Sequence, residues 1–461
     1  MTTRPLLARD RGRGAPAGGT RAGGAVGSVD GTPVERLPAW PLVAPFAAYL
    51  LWWVLGVGDM VWILAGGAAV VLLVGVRGLR LPPGMLVWLF FLAWVLVSLV
   101  MIDSTGRLIG AVYRLLLYAA ATALGIYAYT ARSALPLVRI TGAMTWFLAG
   151  MTVGGILAMV LPELVIRTPM AWVVPRGLAA NDLVGEMVVR RTSQWKADAW
   201  EPQAVRPAAP FLYTNTWGNV YSLVLPLVLL HLSLVWRTRW RWPTALVAAA
   251  SVVPAVSTLN RGMFIGLGVV GLWCAFQALR RGAVLPVLAA GVALVVAVGA
   301  WAASPAGRAF TNRVETTEST TDRAELYRMT VEGAATSPLF GFGAPRPAPQ
   351  PWLPSLGTQG QFWTVLFSHG FIGIALFMGY FLVLVPMVVK RIDTAGAVLG
   401  GIVLATLVET SYYGMMTGIM VSVVAACLLM RPDTVVSTRA GPRTPVPPAS
   451  TSRSPGRGGE R

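Results

Sequence analysis

Long apolar blocks separated by short polar turns run along most of the chain, from Trp40 to Met430. Each block is about 18–22 residues long, enough to cross a bilayer core of about 30 Å as a helix. The blocks are apolar throughout and lack the alternation of a transmembrane β-strand. Because only helices or closed barrels satisfy their backbone inside lipid, the pattern predicts an all-α polytopic membrane protein. We place twelve helices near residues 41–57, 60–76, 84–102, 108–130, 140–161, 216–236, 244–258, 262–279, 283–302, 360–389, 395–413 and 414–430.

Basic residues in alternate short connections predict the orientation of these helices. With the N-terminus inside, the short outer turns hold only Asp59, then Asp103 with Arg107, then Arg261. The inner connections hold Arg77, Arg80, Arg132, Arg139, Arg237, Arg239, Arg241, Arg280, Arg281, Lys390 and Arg391, and Arg431 follows the last helix. This distribution obeys the positive-inside rule and predicts that both termini are cytoplasmic.

Two outer segments are too long to be simple connectors: Pro162 to about Asn215, and Ala303 to about Gln359. Long loops are usually functional or disordered, and their aromatic and mixed charged residues favour folded segments. In the second one, Thr321 is a plausible N-cap of a short helix. The predicted helix ends near Pro338, where prolines and glycines follow.

Composition agrees with a membrane protein and adds two tails. Charged residues make up 12% of the chain, against about 25% in soluble proteins. Residues 1–40 and 431–461 are rich in Gly, Pro, Ser and Arg and predict disordered cytoplasmic tails around a transmembrane domain at 41–430. The net charge of +18 lies largely in tails and short loops, which suits anionic lipid rather than nucleic acid. The first apolar block begins too late for a cleavable signal peptide.

Ionisable residues within predicted helices are expensive in lipid and therefore mark candidate sites. Arg114, Arg261 and Glu409 all fall near the outer interface. Each could snorkel to the headgroups or pair with a neighbour, or the arginines could form a cationic site for phosphates. His231 is expected to be a packed histidine, whereas His369 lies about two turns below the outer face and is a candidate proton-transfer group. Cys274 and Cys427, both in apolar blocks, predict neither a disulfide framework nor a metal site.

Three motifs in order resemble the O-antigen ligase and O-antigen polymerase superfamily. Ser257-Thr-Leu-Asn-Arg-Gly is similar to the family's Ser-Arg-Gly turn. Arg323-Ala-Glu-Leu-Tyr followed by Ser337-Pro-Leu-Phe-Gly-Phe-Gly is similar to the run in its large outer loop. Pro210-Phe-Leu-Tyr-Thr-Asn-Thr-Trp-Gly-Asn resembles the segment that opens a helix after an outer loop. The predicted topology also matches, and the resemblance covers roughly residues 40–430.

The resemblance implies a metal-independent, cofactor-free glycosyltransferase of the cell envelope. Such proteins transfer a glycan from polyprenyl pyrophosphate to an acceptor hydroxyl at the outer face of the cytoplasmic membrane. Ligases use a lipid or surface-anchor acceptor, and polymerases another lipid-linked unit. Arg261 and Arg323 match the family's outer-face arginines and are assigned to the pyrophosphate, with Arg114 as a further candidate. Tyr327, Asn215 and Glu409 are the candidate substrate-binding residues, and Trp217 is expected in the interfacial aromatic belt.

One family feature is missing, because a His-Asn pair is replaced by Gln359-Gly360. Glutamine can orient a hydroxyl but is not a general base at neutral pH. Gln359 could position the acceptor in a reaction that needs little base, His369 or Glu409 could act instead, or transferase activity could be lost. Two rival functions stay open: a transporter or flippase for a polar lipid or polysaccharide, and a non-catalytic envelope-assembly scaffold. The chain lacks the repeats and midplane charges typical of transporters.

Overall fold

The computed structural model describes residues 37–195, 205–303, 307, 319–350 and 353–434. Within these residues the chain is mostly helical, as the hydrophobic pattern predicts. The first half contains α1 (Trp40–Ala47), α2 (Tyr49–Leu55), α3 (Val61–Val74), α4 (Met85–Ser98, continued by a 3-10 turn at Leu99–Met101), α5 (Thr105–Thr130) and α6 (Leu137–Val160).

A small folded unit, which we call the β1–β2 unit, follows α6. Among the described residues it is the one departure from an all-helical chain. It contains β1 (Val165–Arg167), α7 (Met170–Val173), α8 (Arg176–Ala179), α9 (Asp182–Val188) and β2 (Val189–Arg191). The two strands are antiparallel, with Ile166 opposite Arg190. Short strands had not been expected here, because three-residue segments carry too little periodicity to be recognised.

The second half is again helical. It contains α10 (Thr214–Val235), α11 (Arg241–Ala250), α12 (Val252–Ser257), α13 (Arg261–Arg280), α14 (Val284–Ala302), α15 (Ser319–Thr336), α16 (Gln361–Leu382), α17 (Val385–Lys390), α18 (Thr394–Glu409) and α19 (Gly418–Leu429), with a 3-10 turn at Pro432–Thr434.

Proline explains two breaks within predicted spans. The seventh predicted span is divided into α11 and α12, and the tenth into α16 and α17. Proline has no N–H to bond to the carbonyl four residues earlier. Pro254 therefore leaves the carbonyl of Ala250, the last residue of α11, without a helical donor, and Pro386 does the same to Leu382 at the end of α16.

Within the described residues, six helical segments are long and apolar enough to cross a membrane by length and composition alone: Thr105–Thr130, Leu137–Val160, Thr214–Val235, Arg261–Arg280, Val284–Ala302 and Gln361–Lys390, the last of which combines α16 and α17. Four shorter apolar helices accompany them, at Val61–Val74, Met85–Met101, Thr394–Glu409 and Gly418–Leu429. Large apolar side chains such as Val71, Leu96 and Leu285 are exposed, which a membrane environment explains. The architecture is that of a helical membrane protein, and the number of twelve spans stays a prediction.

The helices pack around α5, α10, α16 and α19. Helix α5 packs against α3 and α19, α10 packs against α6, α16 packs against α4, and α13 packs against α18. Trp217 lies in this interior and not in an interfacial belt as predicted: it is fully buried and stacks on Tyr221 with ring centroids 5.1 Å apart. Its indole lies one turn from Tyr221 on α10, so the helix face that carries both rings points inward.

The described structure extends into both predicted tails, by a few residues before Trp40 and a few residues after Met430. Leu37 is buried, and the Tyr127 hydroxyl donates to the Pro38 carbonyl at 2.6 Å. At the other end Arg431 is buried and donates to the carbonyls of Ala128 and Leu135 at 2.7 and 2.9 Å. An arginine at a helix end satisfies carbonyls that lack helical partners. The remainder of both tails, 1–36 and 435–461, lies outside the described residues.

The split between the last two predicted spans also moves. It was placed at Tyr412–Gly414, but α18 ends at Glu409 and α19 begins at Gly418. Residues 410–417 form an irregular turn, which we call the 410–417 turn. This turn is central to the site described next.

Candidate active site

The predicted site residues gather at one end of the bundle, where α5, α10, α13 and α16 begin and α18 ends. We call it the loop end, because the β1–β2 unit and α15 belong to the connections there. At the opposite end two of the predicted inner arginines bond to carbonyls at and just after the end of α17. Arg280 donates to Val389 O at 2.9 Å, and Arg281 donates to Ile392 O at 3.0 Å. Basic residues are favourable at helix C-termini because of the helix dipole.

Arg261 is the first residue of α13 and follows an unusual turn at residues 258–260, which we call the Arg261 turn. Leu259 in that turn has φ +51°, the one positive φ outside glycine in the described chain. Such conformations cost about 1–3 kcal/mol and persist where the surroundings impose them. Here Asn260 donates to Thr214 O at 3.2 Å and accepts from the Tyr413 hydroxyl at 2.5 Å. The turn is therefore held between α10 and the 410–417 turn, which fixes where α13 begins.

Helix α16 is broken at Gly370, whose φ of +68° and ψ of −169° lie outside the helical region. This conformation is essentially restricted to glycine. At the break the amide of Phe371 does not bond to Phe367 as a regular helix requires; it donates to Pro338 O at 2.8 Å. The carbonyls of the preceding turn consequently need other donors.

Residues 337–343, which we call the glycine segment, supply those donors. The segment is the Ser-Pro-Leu-Phe-Gly-Phe-Gly motif, and it lies backbone to backbone against the break. A side chain at Gly341 would meet the backbone of residues 367–369, so only glycine fits there. The bonds run from the Phe342 amide to Phe367 O at 3.0 Å and from the Gly343 amide to Ser368 O at 2.8 Å. The motif therefore completes a helix whose own ladder is interrupted.

Arg107 anchors the far end of this segment to the start of α5. Its guanidinium donates to the carbonyls of Phe342 and Ala344, each at 2.7 Å, and to Pro345 O at 3.1 Å. It also pairs with Asp103, and this hydrogen bond holds the pKa of Asp103 below its ordinary value. The sequence pattern places Arg107 in an outer turn and gives it no further role. Its guanidinium has five N–H donors in a rigid fork and can therefore bond to several carbonyls at once.

The start of α16 carries two glutamines with different surroundings. Gln359, the position of the missing histidine, is only partly buried, and its amide lies 3.4 Å from the Thr358 hydroxyl. Gln361 is buried, donates to the Tyr118 hydroxyl at 2.5 Å and accepts from the Met415 amide at 3.0 Å. Gln361 therefore joins α5, α16 and the 410–417 turn, while Gln359 stays partly accessible.

Arg114 lies one turn before Tyr118 on α5 and is half-buried. Its charge interacts with the phenols of Tyr113, Tyr118 and Tyr213 and acts on the imidazole of His369. No hydrogen bond or ion pair of Arg114 occurs in the described parts of the chain. A guanidinium among phenols, with donors not committed to a carboxylate, can bind phosphate oxygens.

His369 is buried and bonds through Nδ1 to the Ser98 hydroxyl at 2.6 Å. The same hydroxyl bonds to Val95 O at 2.7 Å, so Ser98 links the imidazole of His369 to the backbone of α4. His231 makes an equivalent bond, 2.9 Å to Thr141. This confirms the prediction that His231 is a packed histidine.

Glu409 is fully buried, at the end of α18, and accepts from the Asn219 amide at 2.5 Å. A side chain at Gly266 on α13 would overlap its second oxygen, so the glycine makes room for the carboxyl group. Of the two alternatives for Glu409, pairing with a neighbour is the one that the structure supports. Because Glu409 is fully buried, none of its atoms is accessible for the predicted contact with substrate.

The other predicted substrate residues lie at the same end. Tyr327 on α15 stacks on Trp363 with ring centroids 4.3 Å apart. Asn215 is exposed in the first turn of α10. Arg323 lies in the first turns of α15, and its side chain is outside the described residues, as is that of the predicted N-cap Thr321. The helix itself begins at Ser319 and ends at Thr336, just before Pro338.

Residues 255–378 match the family model described as O-antigen ligase. The superfamily resemblance is thereby confirmed. The match takes in the Arg261 turn, Arg323, Tyr327, the glycine segment, Gln359 and His369, but not Arg114, Asn215 or Glu409. A search of curated proteins finds no match to the chain.

Several polar residues that organise this ligase-like end had not been singled out. Asn219, Asn260 and Gln361 are amides buried in or beside apolar helices. A buried amide needs hydrogen-bond partners, so its presence in an apolar block could have marked a packed polar contact. Tyr118 and Tyr413, their partners, are ordinary aromatic residues in sequence and gave no such signal.

Proposed function

We propose that the protein transfers a glycan from polyprenyl pyrophosphate to an acceptor hydroxyl at the outer face of the cytoplasmic membrane, in the assembly of a cell-envelope polysaccharide. The observation that carries the proposal is the meeting of three parts of the O-antigen ligase match at the loop end. These parts are the Arg261 turn, the glycine segment and the start of α16. The second candidate arginine, Arg114, enters the same end from α5.

The reaction balances without a metal or a cofactor. The acceptor oxygen forms a bond to the anomeric carbon while the bond from that carbon to the pyrophosphate oxygen breaks. The electron pair leaves with the pyrophosphate, and the hydroxyl proton passes to solvent or to a phosphate oxygen. Fixed cations that meet the developing charge supply most of the catalysis in such a step. We assign this role to Arg261 and Arg323, with Arg114 as a third cation.

On the acceptor side, the surroundings favour Gln359 as an orienting group over a dedicated general base. Gln359 is the candidate that is accessible at the mouth of the site. His369 and Glu409 are both buried and bonded within the protein, to Ser98 and Asn219 respectively. A base must come within hydrogen-bond reach of the proton that it removes. We therefore place the acceptor hydroxyl beside Gln359, with leaving-group stabilisation as the main source of rate.

The positive-inside rule supports the outward orientation of this site. The arginines in the short connections opposite the loop end are expected to face the cytoplasm together with both termini. A single cysteine in place of Trp172, an exposed residue of α7 in the β1–β2 unit, tests this orientation. An impermeant maleimide should label it in intact cells; labelling only after lysis would reverse the orientation.

The test of function uses the purified full chain in liposomes with a polyprenyl-pyrophosphate-linked oligosaccharide as donor. The readouts are free polyprenyl pyrophosphate and glycan length, and the second separates polymerase from ligase chemistry. Loss of one charge-stabilising group costs about 10²–10³-fold in rate in comparable sites. We expect Arg261→Ala and Arg323→Ala to fall in that range, and Arg176→Ala, an exposed arginine of α8, to match the wild type.

Equal product from the wild type and both arginine variants would remove the assignment of the pyrophosphate site. A donor that stays intact with every acceptor, but moves across the liposome membrane, would favour the transporter or flippase. An intact and immobile donor would favour the scaffold. Full activity of Gln359→Ala would exclude Gln359 from positioning the acceptor.

A further inference from the structure

A cavity of about 480 Å³ opens beside β2, in the unit between α6 and α10. This volume falls in the range of roughly 300–1,000 Å³ that is typical of small-ligand sites. The side chains that matter for its chemistry are those of Glu186, Arg190, Arg191, Gln194, Trp195 and Tyr213. Of these, Tyr213 has been met above as a neighbour of Arg114, and the others are not among the predicted site residues.

Arg190 is the most informative wall residue, because it is buried and only partly satisfied. Its side chain is 1% exposed, and Nη2 pairs with the Asp59 carboxylate at 2.6 Å. Its Nε and Nη1 have no hydrogen-bond partner among the described residues. Unmet donors on a buried charged group are costly. These nitrogens are almost fully enclosed, so Arg190 fixes the wall of the cavity through Asp59 and does not contact a ligand directly.

The charges around the cavity cancel, which argues against a site selected for anions. Arg190 is balanced by Asp59, and the exposed Arg191 lies in the same wall as Glu186. The Glu186 carboxylate accepts from the Tyr213 hydroxyl at 2.6 Å. Partial desolvation and this bond raise the pKa of Tyr213, so its phenol stays a proton donor at neutral pH. The walls offer both donors and acceptors but no net charge.

An amide and aromatic rings complete the wall. The Oε1 atom of Gln194 accepts from the Thr214 amide at 3.2 Å, which leaves the amide nitrogen for a ligand. The indole of Trp195 and the ring of Tyr213 add flat apolar surface. Closely spaced donors and acceptors beside aromatic faces match a sugar, which has hydroxyls around its rim and C–H groups on its faces.

The cavity is joined to the candidate active site by short contacts. Tyr213 immediately precedes α10 and interacts electrostatically with Arg114. The backbone N–H of Gln194 donates to Arg206 O at 3.0 Å, and the Arg206 guanidinium donates to Thr258 O at 2.9 Å, in the Arg261 turn. A glycan that reached from Arg114 past Tyr213 would enter the cavity directly.

We propose that this cavity is a subsite for neutral sugar units of the glycan, held by the side-chain amide of Gln194 and the aromatic face of Trp195, in a wall that the Arg190–Asp59 pair fixes. The inference rests on the proposed transferase function, because it places the sugar of that reaction. It adds a recognition site formed by the β1–β2 unit, outside the matched segment 255–378.

The binding test needs no transfer reaction. Detergent-solubilised full-length protein is applied to an array of neutral and acidic oligosaccharides, and dissociation constants are then measured by fluorescence with the best neutral oligosaccharide. Trp195→Ala removes the ring, and Gln194→Glu removes the amide donor but keeps the oxygen that Thr214 needs. Trp172→Ala, an exposed tryptophan of the same unit that does not line the cavity, is the matched control.

We expect the wild type and Trp172→Ala to retain neutral oligosaccharides equally, with about tenfold weaker binding for Trp195→Ala and for Gln194→Glu. Retention of no neutral oligosaccharide, retention of acidic ones alone, or equal binding by all four proteins would overturn the subsite. The proposed transferase function fails separately: neutral binding that depends on Trp195, together with no release of polyprenyl pyrophosphate, would keep the sugar site and discard the reaction.

Discussion

Replacing Gly370 by alanine tests whether the glycine segment and the broken helix α16 form one unit. A non-glycine residue at φ +68° and ψ −169° costs about 1–3 kcal/mol. The new methyl group would also lie 2.5 Å from Pro338 O and 2.6 Å from the carbonyl carbon of Leu339, so the segment must withdraw. Withdrawal would break three backbone hydrogen bonds, each worth about 0.5–1.5 kcal/mol.

Strain and lost bonds together amount to about 3–7 kcal/mol. Because the entropy of unfolding grows with chain length, a shift of this size should lower the melting temperature of the detergent-purified protein by about 4–9 °C. Unfolding can be followed with a thiol-reactive dye, because Cys427 is fully buried in the folded protein. Limited proteolysis gives a second readout, since a segment released from α16 should be cleaved faster.

Gly379→Ala is the matched control in the same helix. Gly379 has helical geometry, and an added methyl group would meet only a Val87 methyl at an ordinary 3.6 Å. Alanine is a better helix former than glycine, so this variant should melt at or above the wild-type temperature. If both variants melted within about 1 °C of the wild type, or fell equally, the proposed dependence of α16 on the segment would be wrong.

Three further predictions concern buried polar contacts. Arg107→Ala should speed proteolysis of the glycine segment, with Arg107→Lys intermediate because lysine cannot reach three carbonyls at once; equal cleavage rates would contradict the anchoring role. Arg190→Met should lower the free energy of unfolding by about 3–5 kcal/mol, because it leaves Asp59 buried without its partner. The double variant with Asp59→Leu should melt at a higher temperature than either single variant. Additive losses of stability would show that the two residues do not pair. Gly266→Ala should destabilise the protein and Glu409→Ala should partly rescue it in melting experiments; a rescue of zero would mean that the two positions do not touch.

The helical membrane architecture was accessible from local pattern, and so were most element positions. Apolar blocks of spanning length admit few alternatives in lipid. The errors concern boundaries: spans divided near Pro254 and Pro386, the late start of α19, and the ordered residues around Arg431. The true boundaries depend on hydrogen bonds between helix ends and other parts of the fold. The apolarity of a segment carries no information about these bonds.

The candidate site also combines features that local motifs predict with features that depend on packing. Motifs located Arg261, the glycine segment and Gln359, because backbone geometry requires particular residues at particular positions. Glu409 could be named as unusual from its membrane position, but its partner Asn219 lies 190 positions away in sequence. Such a pairing follows from the packing of α10 against α18, and no local property of either residue predicts it.

The sequence by itself determined that the chain is a helical membrane protein with basic connections and ligase-like motifs in a definite order. Apolar length, charge placement and glycine spacing are local properties, and lipid limits the backbone to few solutions. Only the tertiary structure decided that Gly341 and Gly370 complete one broken helix, that Gln361 rather than Gln359 is buried, and that Arg190 pairs with Asp59 in the wall of a cavity. These facts depend on contacts between distant segments, which packing selects from many arrangements that the same local pattern allows.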